Sequence, residues 1–161
     1  MPAFPQRGGC LCGDVRYELR EDPVTVYFCH CTECQRESAS AGYLGVVAKQ
    51  AALAFTRGEA KLEVVKAGPP GGRERAWRGC PRCKVRLGSA LQSVAGLCSI
   101  DGGTLDDTSW VVPAGHLWTR SAQPWIALPE DVIQVPMQPT DEEWLAIVRA
   151  WRSRTDASAS G

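Results

Sequence analysis

Short apolar runs cut by turn residues dominate this chain. Residues 14–19 alternate, with Val15, Tyr17 and Leu19 apolar between Asp14, Arg16 and Glu18, the two-residue period of a strand with one face in a core. Asp22-Pro23 closes that run, and residues 24–29 form a second apolar segment ending in Cys29. Residues 43–48 and 53–56 read as further strands, Arg57-Gly58 as a turn, and residues 61–66 alternate again. Gly68-Pro69-Pro70-Gly71-Gly72 reads as an exposed loop. Residues 85–94 have room for one or two strands, residues 102–107 read as a turn, and residues 110–112 and 115–118 are short apolar pieces.

The helical period is clear in one place. Thr140 and Glu143 match a capping box, Asp141 and Glu142 suit the positive end of the helix dipole, and Trp144, Leu145, Val148 and Trp151 form a stripe. This predicts a helix over about residues 140–153, with Arg149, Arg152 and Arg154 toward its C-terminal end and a frayed tail from 156. Residues 32–38 are short enough for one or two helical turns, with Thr32 as cap. The expected fold is mainly β, an α+β domain with a C-terminal helix. One domain of 161 residues is expected, its core over about 5–135.

Composition narrows the chemistry. The 16 Gly and 11 Pro suit short strands joined by turns. Lys plus Arg and Asp plus Glu balance at 18 each, which gives no argument for an anionic membrane and, with no long basic tail, argues against nucleic acid as partner. There is no apolar N-terminal leader and no membrane-length apolar run, so the expectation is a soluble cytoplasmic protein. In a reducing compartment, eight closely spaced Cys point to metal rather than to disulfides.

The cysteines divide by spacing. Cys29, Cys31 and Cys34 crowd three thiols into six residues. In an extended segment Cys29 and Cys31 share a face, and a turn swings Cys34 toward them. This is a claw of three thiolates, whereas zinc prefers four ligands. Cys10 and Cys12, flanked by glycines, are a second C-x-C, and Cys80 and Cys83 form a C-x-x-C knuckle. Together those four suit a closed, structural Cys₄ zinc site, leaving the claw as an open site of catalytic type. The alternative is a claw closed by one of these pairs, by Cys98 or by His116, with structural zinc alone. Cys98, among apolar neighbours, reads as a buried thiol, and His116 as a structural histidine. The pleat turns His30 away from the metal, either into structure or toward substrate. Asp106-Asp107 reads as turn chemistry, and Glu33 is a candidate for proton transfer.

Taken in order, Gly8-Gly9-Cys10-Leu11-Cys12-Gly13-Asp14-Val15-Arg16-Tyr17, Cys29-His30-Cys31-Thr32-Glu33-Cys34-Gln35-Arg36, Cys80-Pro81-Arg82-Cys83 and Gly103-Thr104-Leu105-Asp106-Asp107 resemble the glutathione-dependent formaldehyde-activating enzyme and centromere protein V family. The resemblance spans about residues 5–130. It implies a β-tent fold of small twisted antiparallel sheets around zinc. It also implies a structural zinc on Cys10, Cys12, Cys80 and Cys83, and a catalytic zinc on Cys29, Cys31 and Cys34. The implied activity is that of a carbon–sulfur lyase, making or breaking S-hydroxymethylglutathione. The chain departs from the family pattern at Gly79 and Lys84, which stand where Phe and Gly are usual, and at Ser38-Ala39-Ser40 in place of Ser-Gly. Arg36, Arg73 and Arg75 are candidate partners for substrate carboxylates, and His30 is a further candidate substrate contact. The competing function is a non-catalytic zinc module binding protein or nucleic acid, as the centromere branch suggests.

Overall fold

The computed structural model describes residues 2–66, 74–90 and 94–159. The loop expected at 68–72 and the candidate Arg73 lie outside them. In chain order the elements are β1 (Gln6–Gly9), β2 (Arg16–Leu19), β3 (Thr25–Cys29), α1 (Thr32–Ser38), β4 (Tyr43–Lys49), β5 (Leu53–Arg57) and β6 (Lys61–Lys66). They continue with β7 (Glu74–Gly79), β8 (Arg86–Ala90), β9 (Leu97–Asp101), β10 (Gly115–Leu117), β11 (Ile133–Val135) and α2 (Asp141–Ala159). The fold is mainly β, with the expected C-terminal helix. No helix among the described residues is long and apolar enough to cross a membrane.

The chain divides into two compact units, one built mainly from Pro23–Val47 and Ser109–Gly161, the other from Ala3–Asp22 and Ala48–Thr108. In the first, the strands run in the order β11-β10-β3-β4. β3 and β4 pair antiparallel, whereas β10 pairs parallel with both β3 and β11. The sheet is therefore mixed, where antiparallel pairing alone was expected.

Helix α2 covers this sheet. The capping box forms as expected, with Glu143 N–H donating to Thr140 Oγ1 at 3.2 Å and Thr140 N–H donating to Glu143 Oε2 at 2.7 Å. The buried stripe differs from the expected one: Ile147, Val148 and Trp151 are buried, while Leu145 is 53% exposed. At 100° per residue, positions 144, 147, 148 and 151 share one narrow arc and 145 lies about 100° away from 144. Trp144 packs edge-on against Tyr27 of β3, ring centroids 5.4 Å apart. A Cβ at Gly115 would lie 2.7 Å from the Ile147 side chain, so the missing side chain on β10 is what lets α2 approach. The helix also runs to Ala159, beyond the expected end near 153, which puts Arg149, Arg152 and Arg154 in its interior.

The second unit holds two antiparallel groups, β1-β2-β5 and β9-β8-β7-β6. Residues 6–9, for which the sequence predicted no strand, form β1. Gly8 sits opposite Tyr17, where a Cβ would meet the tyrosine ring at 2.4 Å. Tyr17, 1% exposed, exchanges a 2.7 Å hydrogen bond with Thr104. Arg86 and Asp101 form a largely buried ion pair at 2.7 Å. Asp106 has a structural role, its carboxylate paired with Arg16 and its N–H donating to Arg7 O at 2.9 Å.

Candidate metal centres

The claw is built where β3 ends. Cys29 is held on both sides by the sheet, opposite Tyr43 of β4 and Leu117 of β10, and is 7% exposed. The chain then turns, and Cys31 becomes the N-cap of α1, its Sγ accepting from Cys34 N–H at 3.3 Å. This corrects the expected cap: Thr32 is the first helical residue, and the sulfur that would bind metal also satisfies a free backbone amide. Cys34 is buried within the first turn. The three sulfurs lie within 4.8 Å of one another, and among the described residues no fourth Cys, His, Asp or Glu joins them.

Crowding polarises these thiols. Hydrogen bonds from Cys29 and Cys34 hold the Cys31 thiol far below its ordinary range, while those with Cys31 and Cys34 push Cys29 up. Three thiolates so close need a cation to balance them all.

His30, between two claw ligands, is fully buried. It shares a hydrogen bond of 2.9 Å between its Nε2 and Nδ1 of His116, and the rings stack with centroids 5.2 Å apart. Burial, reinforced by His116, pushes His30 down to about 4, and burial lowers His116 as well. Both shifts favour the neutral imidazole, and His116 partners His30 instead of joining the three sulfurs.

The second centre lies wholly in the other unit. Cys10 follows β1 and Cys80 follows β7, and each opens a knuckle closed by backbone bonds. Cys10 N–H donates to Val15 O and Cys80 N–H to Val85 O, both at 3.0 Å. The residue after the second cysteine is left-handed in both knuckles: Gly13 at φ +76° and Lys84 at φ +63°. Lysine adopts there a backbone conformation natural to glycine. Arg82 joins the knuckles, donating to both carboxylate oxygens of Asp14 at 3.0 and 3.2 Å. The backbone N–H of Val85, then that of Cys12, pulls the Cys83 thiol down to about 6.

The four sulfurs also lie within 4.8 Å of one another, with Cys10 to Cys12 at 3.5 Å and Cys12 to Cys80 at 3.7 Å. A tetrahedron with zinc–sulfur bonds of about 2.3 Å has an edge of about 3.8 Å, so the donor set fits zinc.

A cleft of about 660 Å³ runs along α1, lined by Thr32, Gln35 and Arg36 and, from the segment after β10, by Gln123 and Trp125. Arg36 thus lies on the claw's own helix. Arg75 lies on β7 in the unit of the four-cysteine centre, half-buried. Glu33 is exposed in the first turn of α1. Cys98 is 2% exposed on β9, beside a small void lined by Tyr17, Leu87 and Ile100, and burial raises its thiol. Gln123 and Trp125 carry no motif. Their signal in the sequence is an isolated polar–aromatic pair on either side of Pro124.

A family model described as glutathione-dependent formaldehyde-activating enzyme matches residues 5–121. A solved structure of a Rhodobacter sphaeroides protein is 20% identical, with 62% of this chain and 87% of that chain covered at a TM-score of 0.47, a likeness too slight to argue from. No curated protein matches the chain.

Proposed function

Because this chain belongs to the glutathione-dependent formaldehyde-activating enzyme family, we propose that it is a zinc-dependent carbon–sulfur lyase acting on the adduct of glutathione, or another small thiol, with formaldehyde or a small aldehyde. The observation that carries this reading is the difference in ligand number. Four sulfurs close one centre, while three, beside a cleft, form the other.

Cys10, Cys12, Cys80 and Cys83 would hold a structural zinc and Cys29, Cys31 and Cys34 a catalytic one. When bound at the claw, zinc supplies Lewis acidity at its open position, lowering the pKa of the group it meets. In the cleaving direction the carbon–sulfur bond of the hydroxymethyl thiol breaks with its electron pair going to sulfur. The hydroxyl proton leaves as the carbonyl forms, and sulfur takes a proton to end as thiol. Glu33 is the acidic side chain in the first turn of α1 to carry that proton, and Arg36 the cation to meet a substrate carboxylate. His30, expected as a substrate contact, is fully buried against His116. Its part is to fix the backbone between two ligands, not to touch substrate. Cys29 and Cys34, both buried, keep water from the inner side of the claw. This reading places the protein in the cytoplasm, where thiols stay reduced.

The test is exchange of S-hydroxymethylglutathione with formaldehyde and glutathione, followed by NMR on zinc-loaded protein, with Cys31→Ala as control. Exchange above the spontaneous rate that is lost in the control supports the lyase. Equal rates for both proteins refute it and leave a non-catalytic zinc module.

A further inference from the structure

Trp125 is 72% exposed, whereas the other five tryptophans are buried or half-buried. Its polar edge is nonetheless turned inward. Trp125 Nε1–H donates to Gln123 Oε1 at 2.7 Å, and Gln123 Nε2 donates to Gln35 Oε1 at 3.2 Å. Gln35 Nε2 in turn donates to two backbone carbonyls, His30 O at 2.7 Å and Ser121 O at 2.8 Å. The bonds all run in one direction and end on the carbonyl of the residue between Cys29 and Cys31. Reversing either amide would set oxygen against oxygen, so the relay holds one arrangement.

With its N–H engaged, the indole offers the cleft only a π face. Across the same cleft Arg36 is exposed and has no ion-pair partner among the described residues. A flat aromatic face and a free guanidinium are the pair needed to grip a planar amide and a carboxylate. The cleft is far larger than a hydroxymethyl thiol alone would fill.

We propose that Trp125 and Arg36 bind the amide- and carboxylate-bearing end of a peptide-like thiol, and that Gln35 is the positioning residue that fixes Trp125 relative to the claw. The proposal rests on the reading of the claw as the place where the substrate sulfur reacts, and deepens it by assigning the residues that read the rest of the substrate.

S-methylglutathione, whose capped sulfur cannot form the adduct, is the probe, titrated by calorimetry into zinc-loaded protein. Trp125→Ala and Arg36→Ala should each weaken binding about tenfold, and Trp125→Phe should recover most of the loss, since it keeps an aromatic face. The diethyl ester of the probe, without its carboxylates, should bind the parent protein as weakly as the probe binds Arg36→Ala. Gln35→Glu keeps the side-chain shape but has no N–H to donate. It should weaken binding to a similar degree at unchanged zinc content, and adding it to Trp125→Ala should cost little more. That non-additivity is what a merely structural glutamine would not show.

Parent-like binding by both surface variants overturns the proposal, as does a parent protein that does not bind the probe. Additive losses overturn the positioning role of Gln35. Should Gln35→Glu fail to fold, the exposed positions 36 and 125 still decide the binding site. Adduct turnover without probe binding would sink this assignment and spare the lyase. Trp125-dependent binding without turnover would do the reverse.

Discussion

The two cysteine centres are held by different means. The four-cysteine centre depends on turns: two knuckles, each closed by backbone bonds and a left-handed residue, brought together from residues 10–13 and 80–84. The claw depends on regular structure, with one cysteine fixed between two neighbouring strands, one capping a helix and one inside its first turn. A metal held by a centre joined across about seventy residues of chain would favour folding, because it would close a loop that the unfolded chain leaves open. A centre contained in six residues has little loop to close. Its crowded thiols and set of three sulfurs are what the proposed lyase chemistry rests on.

Breaking the four-cysteine centre should have the largest effect. Cys80→Ser removes a ligand from a site of a kind whose metal contributes on the order of 10 kcal/mol to folding. Loss of the cooperative thermal transition in circular dichroism is expected; a folded protein with one zinc fewer would make this centre dispensable.

The claw's dependence on its sheet is tested through Gly115, whose strand lies beside β3. Gly115→Val drives side-chain atoms into Ile147 and should destabilise by about 2 kcal/mol, as overpacked cores do. Adding Ile147→Ala should restore part of that loss in urea titration. Independent costs would mean α2 does not rest on β10 as described.

Cys31→Ala should leave the fold standing. The expected cost is about 1 kcal/mol, the worth of a helix N-cap, together with the loss of one of two zinc ions by metal analysis. If this variant unfolds like Cys80→Ser, the contrast between the centres fails.

The smallest effect has the opposite sign. Lys84→Gly removes the strain of a side chain at φ +63° and should stabilise by about 0.5–1 kcal/mol, read as a rise in melting temperature with two zinc ions retained. A fall in melting temperature would mean that the lysine makes a contact outweighing its strain.

Much of this was legible in the chain because it is local. Alternation marked β2 and β6, apolar runs marked β3, β4 and β5, and cysteine spacing separated a cluster of four sulfurs from one of three. The capping box set the start of α2. Its end was misjudged because no Gly or Pro interrupts residues 141–160, so nothing stops the helix near 153. The strands β1, β9 and β11 are three to five residues long. Windows that short show no period to read.

The sequence by itself determined the inventory: a mainly β chain, eight cysteines in their groups, and a helix with one apolar face. Tertiary structure decided what each side chain does. It chose Ile147 over Leu145 for burial, made Cys31 a helix cap within its own cysteine cluster, and paired His30 with His116. It also ran a hydrogen-bonded relay from Trp125 to the claw. The physical reason is range. Propensity and periodicity act over a few residues, whereas His30 meets His116 and Gln35 meets Ser121 across 86 positions, joined by sheet pairing that no local pattern encodes.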